Sequence, residues 1–223
     1  MPTEIKPKGK ILLEKNILET NNFKNSEKSD KLKGLEECKL CAHLCKVNRN
    51  EGQIGRCKAG KTVKIALYSV HNFEEPCISG EKGSGTVFFS NCNFNCIYCQ
   101  NYEISQLGKE KEITISRLAE IFLEQQEKNV ENINLVTPTS YVPQIIEAIK
   151  LARKKGLKRP IVYNTNSYET VETIKMLEGY IDVYLPDLKY FEEKTGKNYS
   201  KIENYFETAT KAIKEMVRQV GSP

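Results

Sequence analysis

From residue 86 onward the chain repeats one pattern, a short continuous apolar run followed by a stretch with helical periodicity. The apolar runs are TVFFS from residue 86, INLV at 133–136, IVYN at 161–164 and IDVYL at 181–185. Helical spacing covers 116–129, with Ser116 placed as the N-cap, then 140–155, 168–178 and 203–219. Four strand–helix units in series predict an α/β chain with parallel strands. Runs that stay apolar instead of alternating predict a sheet covered on both faces.

The part before residue 86 is built differently. Residues 10–20 predict a short helix and 21–34 (NNFKNSEKSDKLKG) a loop, so 1–34 is expected to be a flexible segment. Residues 35–85 form a cysteine-rich segment, in which KTVKIALYSV (61–70) predicts a strand and 71–85 a Gly/Pro-punctuated loop. With 39% hydrophobic residues, 11 Tyr and 8 Phe in 223 residues, the chain is too apolar for a disordered one. It has no run of 18 apolar residues, so no membrane span is expected. Acids and lysines interrupt its first apolar stretch, unlike a secretory leader, and the expected compartment is the cytoplasm. Residues 1–70 carry 15 Lys and Arg against 8 Asp and Glu. Without arginine clusters this reads as a solvated lysine-rich surface and not as a nucleic-acid face.

All eight cysteines lie before residue 100. In a chain without a leader, close-spaced thiols point to metal or redox sites, not to a disulfide framework. Cys92, Cys96 and Cys99 stand in CNFNCIYC, a C-x3-C-x2-C spacing directly after a predicted strand. Three thiolates at that spacing can hold a [4Fe–4S] cluster and leave one iron with an open position for chemistry. A zinc knuckle would want a fourth Cys or His nearby, and no His follows residue 71.

The string GSGTVFFSNCNFNCIYCQNYEISQ, followed by INLVTPTSY, VYNTNSYE and YLPDLKY, resembles the radical S-adenosylmethionine (SAM) superfamily. The resemblance covers roughly residues 35–220 and is closest to a poorly characterised branch of pyruvate formate-lyase-activating-enzyme-like proteins. It implies a partial TIM-type β/α barrel, a [4Fe–4S] cluster on Cys92, Cys96 and Cys99, and SAM chelated to the open iron. It also implies an oxidoreductase activity, reductive cleavage of SAM to methionine and a 5′-deoxyadenosyl radical. An external low-potential electron donor of flavodoxin or ferredoxin type would supply the electron. In activating enzymes the radical takes a hydrogen atom from a glycine of a glycyl radical enzyme, the partner expected here.

Carried over by position, Tyr98 matches the aromatic beside the adenine, and Asn101 a polar residue near SAM. Thr137 and Thr139, around Pro138, replace the usual Gly-Gly-Glu-type segment. Asn164 stands where activating enzymes have an Asp, which weakens a cation site beside the SAM carboxylate. Asp187 and Lys189 match an Asp-Leu-Lys string that contacts SAM; two apart at a strand end, they also point to the same side.

Cys38, Cys41, Cys45 and Cys57 form a second set, C-x2-C-x3-C-x11-C, expected as a metal knuckle beside the barrel. Four thiolates suffice either for structural zinc or for a second iron–sulfur cluster. His43, between the ligands, is expected on the surface, and Cys77 as a small buried or loop thiol. Two other functions fit the sequence: a radical SAM enzyme for a small molecule or nucleic acid, and a non-catalytic metal-binding module. About four β/α units fit before Pro223, whereas activating enzymes resemble six-unit barrels. A chain lacking the last part of the barrel is therefore expected, with impaired activity and with the fourth strand bare on one edge and one face.

Overall fold

The computed structural model describes residues 31–108 and 110–222. The helix expected over 10–20 and nearly all of the flexible segment 1–34 lie outside the described residues. The elements run β1 (Val63–His71), α1 (Pro76–Ser79), β2 (Ser84–Phe89), β3 (Lys111–Ile113), α2 (Ile115–Glu127), β4 (Ile133–Val136) and α3 (Val142–Lys154). β5 (Ile161–Thr165), α4 (Val171–Met176), β6 (Val183–Pro186), α5 (Glu193–Ser200) and α6 (Tyr205–Val220) follow.

The strands form one six-stranded sheet in the order β3-β1-β2-β4-β5-β6. β2, β4, β5 and β6 are parallel and correspond to the four expected units. β1 and β3 extend the sheet antiparallel. β1 comes from the cysteine-rich segment, yet it pairs with β2 from Ile65↔Phe89 to His71↔Ser84.

One face of the parallel part is covered by helices, whereas the other, expected to be covered too, is partly open near the carboxyl ends of the strands. Ile133 and Leu135 of β4 stand in register with Ile161 and Tyr163 of β5, and all four are fully buried. Leu118, Ile121 and Phe122 of α2 and Ile145 and Ile149 of α3 belong to the same core. Each such side chain contributes about 1.5–3 kcal/mol by leaving water. β6 has no strand on its outer side among the described residues, as expected. The face expected to be bare is covered. Tyr184 is buried against Tyr163 at 5.8 Å, and its hydroxyl donates to Gln219 of α6 at 2.7 Å.

Several local expectations are corrected. The N-cap of α2 is Thr114, not Ser116; its hydroxyl accepts from the Arg117 amide at 3.0 Å, which starts the helix at Ile115. α4 starts at Val171 instead of 168, because Ser167 is left-handed (φ 63°) and Thr170 caps the helix. Residues 71–85 are not all loop: Pro76 opens the short α1, and β2 begins at Ser84. β3 and α5 are additions. Among the described residues no helix is long and apolar enough to cross a membrane.

Candidate active site

The loop carrying Cys92, Cys96 and Cys99 leaves the carboxyl end of β2, where parallel sheets place their sites. Asn91 turns the chain with a positive φ of 70°. The loop is then fastened at both ends by backbone bonds. Asn91 and Cys92 amides donate to Ile104 and Ser105 carbonyls at 3.1 Å, in the π-type turn Glu103–Leu107. Asn95 and Ile97 amides donate to Ser200 and Tyr199 carbonyls at 3.1 and 2.9 Å, at the end of α5. Gly108 is required behind the loop, since a Cβ there would lie 2.5 Å from Asn91 Oδ1.

An aromatic floor supports the loop from below. Phe94, Tyr168, Tyr190 and Tyr205 are buried together with Ile202 and Ala209. Phe94 meets Tyr168 and Tyr205 edge-on at 5.6 Å, and Tyr190 meets Tyr205 at 5.5 Å. Polar groups from the floor reach the sulfurs. Ser200 Oγ donates to Cys96 Sγ at 2.9 Å, and Ser105 Oγ lies 3.3 Å from Cys99 Sγ. Asn166 Nδ2 donates to Asn93 Oδ1 at 2.7 Å and stands 3.7 Å from Cys92 Sγ. With Ser200 donating to the sulfur, Tyr190 donates to Ser200 at 2.5 Å, and Tyr98 bonds the Tyr190 hydroxyl in turn.

Beside the loop lies a half-exposed row. Phe88, Val136, Asn164 and Leu185 are register partners across β2, β4, β5 and β6, so they share one face near the carboxyl ends of the parallel strands. One step back, Asn134 is fully buried with neither amide atom partnered. The row brings the expected Asn164 to a floor on which a bound molecule could lie. Thr137, in the left-handed region at φ 59°, donates its amide to the Asn164 carbonyl at 3.1 Å. Asp187 and Lys189 sit just beyond β6 and pair with each other at 2.6 Å, both partly exposed. Tyr205 holds their backbone: its hydroxyl accepts from the Lys189 amide and lies 2.9 Å from the Asp187 carbonyl. Tyr98 and Asn101 are on the exposed side of the loop. Thr139 is elsewhere. It is buried, and its hydroxyl donates to Glu169 at 2.6 Å.

Glu169 was not singled out by sequence. It is fully buried, accepts from Thr139, Thr165 and Tyr163, and has an Oε2 without a partner. Burial outweighs the three hydroxyls and raises its pKa.

The second cysteine set gathers around one small cavity. Cys38, Cys41, Cys45 and Cys57 line it with Arg49, Gly55, Thr139 and Ser140. Gly55 permits this closeness, because a Cβ there would fall 2.9 Å from Cys45 Sγ. The segment is pinned across the loop after β5: the Thr170 amide donates to the Leu40 carbonyl, and the Ala42 amide to the Tyr168 carbonyl, both at 3.4 Å. His43 is half-buried, not a surface residue. Its Nε2 lies 2.8 Å from the Asn93 carbonyl, and burial lowers its pKa. Cys77 is exposed in α1.

The two sets adjoin each other through His43 and Asn93, and Cys57 is close enough to raise the Cys92 pKa. Burial comes first, pushing both Cys92 and Cys41 thiols up to about 12. Metal binding at either set must therefore release protons. Among the described residues, no three His, Cys, Asp or Glu side chains close on a point that a single ion could occupy. A [4Fe–4S] cube does not need that closure, because its thiolates bind separate iron corners. Three cysteines on one clamped loop, with hydroxyl and amide groups at their sulfurs, fit such a cluster.

The family model of the radical SAM superfamily matches residues 86–222, more than half of the chain. The uncharacterized protein MJ0674 of Methanocaldococcus jannaschii is 34% identical over 184 residues, 77% of this chain and 51% of that protein. The uncharacterized protein MJ0808 of the same organism is 25% identical over 170 residues, 68% of this chain and 49% of that protein. The chain spans about half the length of the curated relatives it matches.

Proposed function

Because the chain belongs to the radical SAM superfamily, we propose that it cleaves SAM reductively and directs the resulting radical at a glycine of a partner protein. The clamped three-cysteine loop at the carboxyl end of β2 carries this reading. Cys92, Cys96 and Cys99 would hold a cluster there, which would supply the one electron needed to cleave the S–C5′ bond of SAM into methionine and a 5′-deoxyadenosyl radical able to take a hydrogen atom. The chain's own residues do the rest. Ser200, Ser105 and Asn166 hold the sulfur positions and stabilise charge on them. The row Phe88, Val136, Asn164 and Leu185 provides a floor for SAM, with Asp187 and Lys189 at its edge. Lys189 would pair with the SAM carboxylate, and Asp187 would accept from a ribose hydroxyl.

A macromolecular substrate is supported by the rim of the site. Ile97 and Tyr98 on the loop, with Tyr102 and Tyr199 beside it, are each about half exposed or more, and exposed apolar side chains at a site offer contact to a large partner. The cofactor set in this reading is a [4Fe–4S] cluster, SAM and a metal on the four N-terminal cysteines. A flavodoxin- or ferredoxin-type donor in the cytoplasm would supply the electrons.

Anaerobically reconstituted protein given SAM and a strong reductant should form 5′-deoxyadenosine and methionine, and Cys96→Ala should form neither. Wild-type protein loaded with iron and sulfide that leaves SAM intact would favour the non-catalytic module. A glycyl radical enzyme carrying α-deuterated glycine should pass deuterium into the 5′-deoxyadenosine. SAM cleavage without deuterium transfer would move the substrate to a small molecule or a nucleic acid.

A further inference from the structure

We infer that the basic cleft between the four-cysteine segment and the α5–α6 turn is the docking surface for an acidic one-electron carrier. The inference rests on the reading that the chain cleaves SAM reductively, and it names the face through which the electron arrives.

The cleft has a volume of ≈ 640 Å³, and its lining includes His43, Arg56, Tyr168, Lys197, Lys201 and Glu203. Two of these residues back the loop of Cys92, Cys96 and Cys99. His43 Nε2 lies 2.8 Å from the Asn93 carbonyl, and the Asn93 side-chain amide donates to the Tyr168 carbonyl at 3.3 Å. The Tyr168 ring packs on Phe94. Asn93 and Phe94 directly follow Cys92, so a carrier seated here touches side chains that touch the loop. None of Tyr98, Asn164, Asp187 and Lys189 lines the cleft, so the carrier leaves the SAM floor free. In the transfer the carrier loses one electron, the cluster on the loop gains it, and no atom or proton moves.

Charge identifies the partner. Between Lys39 and Lys58, in the segment that forms one wall, the chain exposes Lys39, Lys46, Arg56 and Lys58 against one acid, Glu51. Arg49 is buried and donates to the Gly60 and Ser140 carbonyls, so it is not part of this face. Across the cleft, Lys197 pairs with Glu203 at 2.9 Å, and Glu193 is held by the Asn204 amide at 2.8 Å. Arg56 and Lys201 have no carboxylate partner among the described residues. The Arg56 guanidinium donates to the Lys201 carbonyl at 2.5 Å, which holds it beside Lys201. A cleft with an excess of one sign of charge steers the opposite charge into it. The two unpaired cations are exposed, and exposed charges speed association more than they prolong it. That suits a carrier that must arrive, give its electron and leave, and electron-transfer complexes use small interfaces. A single-stranded nucleic acid would need rings to stack on, and Tyr168 is only 3% exposed.

Binding of an acidic flavodoxin to the reconstituted full chain should be measured by calorimetry. Raising the salt from about 50 to about 300 mM should weaken it at least tenfold. Arg56→Glu together with Lys201→Glu should weaken it at least tenfold at the lower salt. Lys154→Glu together with Lys155→Glu makes the same change in net charge at the end of α3, before β5, and should alter it by less than about twofold. No binding by the wild type, or equal losses in the two double variants, would overturn the docking surface. Lys201→Glu alone keeps the Arg56 bond, which is to a backbone oxygen, and decides the point where the double variant does not fold. With reduced flavodoxin as the donor, Lys201→Glu should form 5′-deoxyadenosine several-fold more slowly than the wild type, and with dithionite at the same rate. Wild type that leaves SAM intact under dithionite would overturn the reading of the reaction, and the binding measurements would still decide the docking surface. A Lys201→Glu chain that keeps flavodoxin binding and loses deuterium transfer from a glycyl radical enzyme would assign the cleft to the substrate protein instead.

Discussion

Ser200 Oγ stands 2.9 Å from Cys96 Sγ across 104 residues of sequence, and it is the last member of a hydroxyl chain that begins at Tyr98. A hydrogen bond to a cluster thiolate favours the more negative, reduced state. Ser200→Ala should therefore lower the midpoint of the Cys92/Cys96/Cys99 cluster. One such bond is worth about 1 kcal/mol, or about 40 mV for a one-electron couple. An EPR-monitored redox titration checks the direction. A midpoint that rises would mean that the hydroxyl does not donate to the sulfur.

Lys189→Ala should separate binding from stability. The Asp187–Lys189 pair is partly exposed, and such pairs contribute about 0–1 kcal/mol to folding. A charge-assisted contact with the SAM carboxylate is worth about 1.5–3 kcal/mol. Calorimetric SAM binding should weaken by roughly 10–100-fold while the urea midpoint barely moves. Equal SAM affinity in the variant would leave Lys189 as a surface cation.

Glu169 gives the fold a pH dependence of definite sign. Its folded pKa is raised by burial, so the folded chain holds this proton where the unfolded chain has released it. Stability should be full below the unfolded carboxyl value near 4.5, and fall as pH rises toward the folded value. Glu169→Gln keeps an acceptor for Thr139 and Tyr163 and should flatten this decline. Urea melts from pH 4 upward compare the two slopes; parallel slopes would show that Glu169 is not the group responsible.

Asn166→Ala should destabilise the loop locally. It removes the donor to Asn93 Oδ1, which is buried, and the contact with Cys92 Sγ. An orphaned buried acceptor costs about 1–3 kcal/mol. Hydrogen exchange of the Cys92 and Phe94 amides should speed up more than that of β4. Uniform change across the sheet would mean that Asn166 acts on the whole fold.

The parallel strands were legible because each is a continuous apolar run. β3 was not, being three residues with two exposed. α5 (EKTGKNYS) has no apolar periodicity and buries only Gly196 and Ser200, so its role in holding the cysteine loop has no sequence signal. The two cysteine sets stood out by spacing alone. Their supporting groups did not: Arg49 owes its role to carbonyls 11 and 91 residues away, and Glu169 to hydroxyls on two strand ends. A signal for Asn166 did exist, in its place two residues past Asn164 in the loop after a strand.

The bond between Arg49 and the Ser140 carbonyl also sets a waiting time during synthesis. The wall that closes the four-cysteine cavity is made 91 residues after Arg49. At about 5–20 residues per second, the ribosome needs about 5–18 s to supply it. Over that interval the cavity around Cys38, Cys41, Cys45 and Cys57 lacks the side that Thr139 and Ser140 supply, and its thiols are open to solvent there.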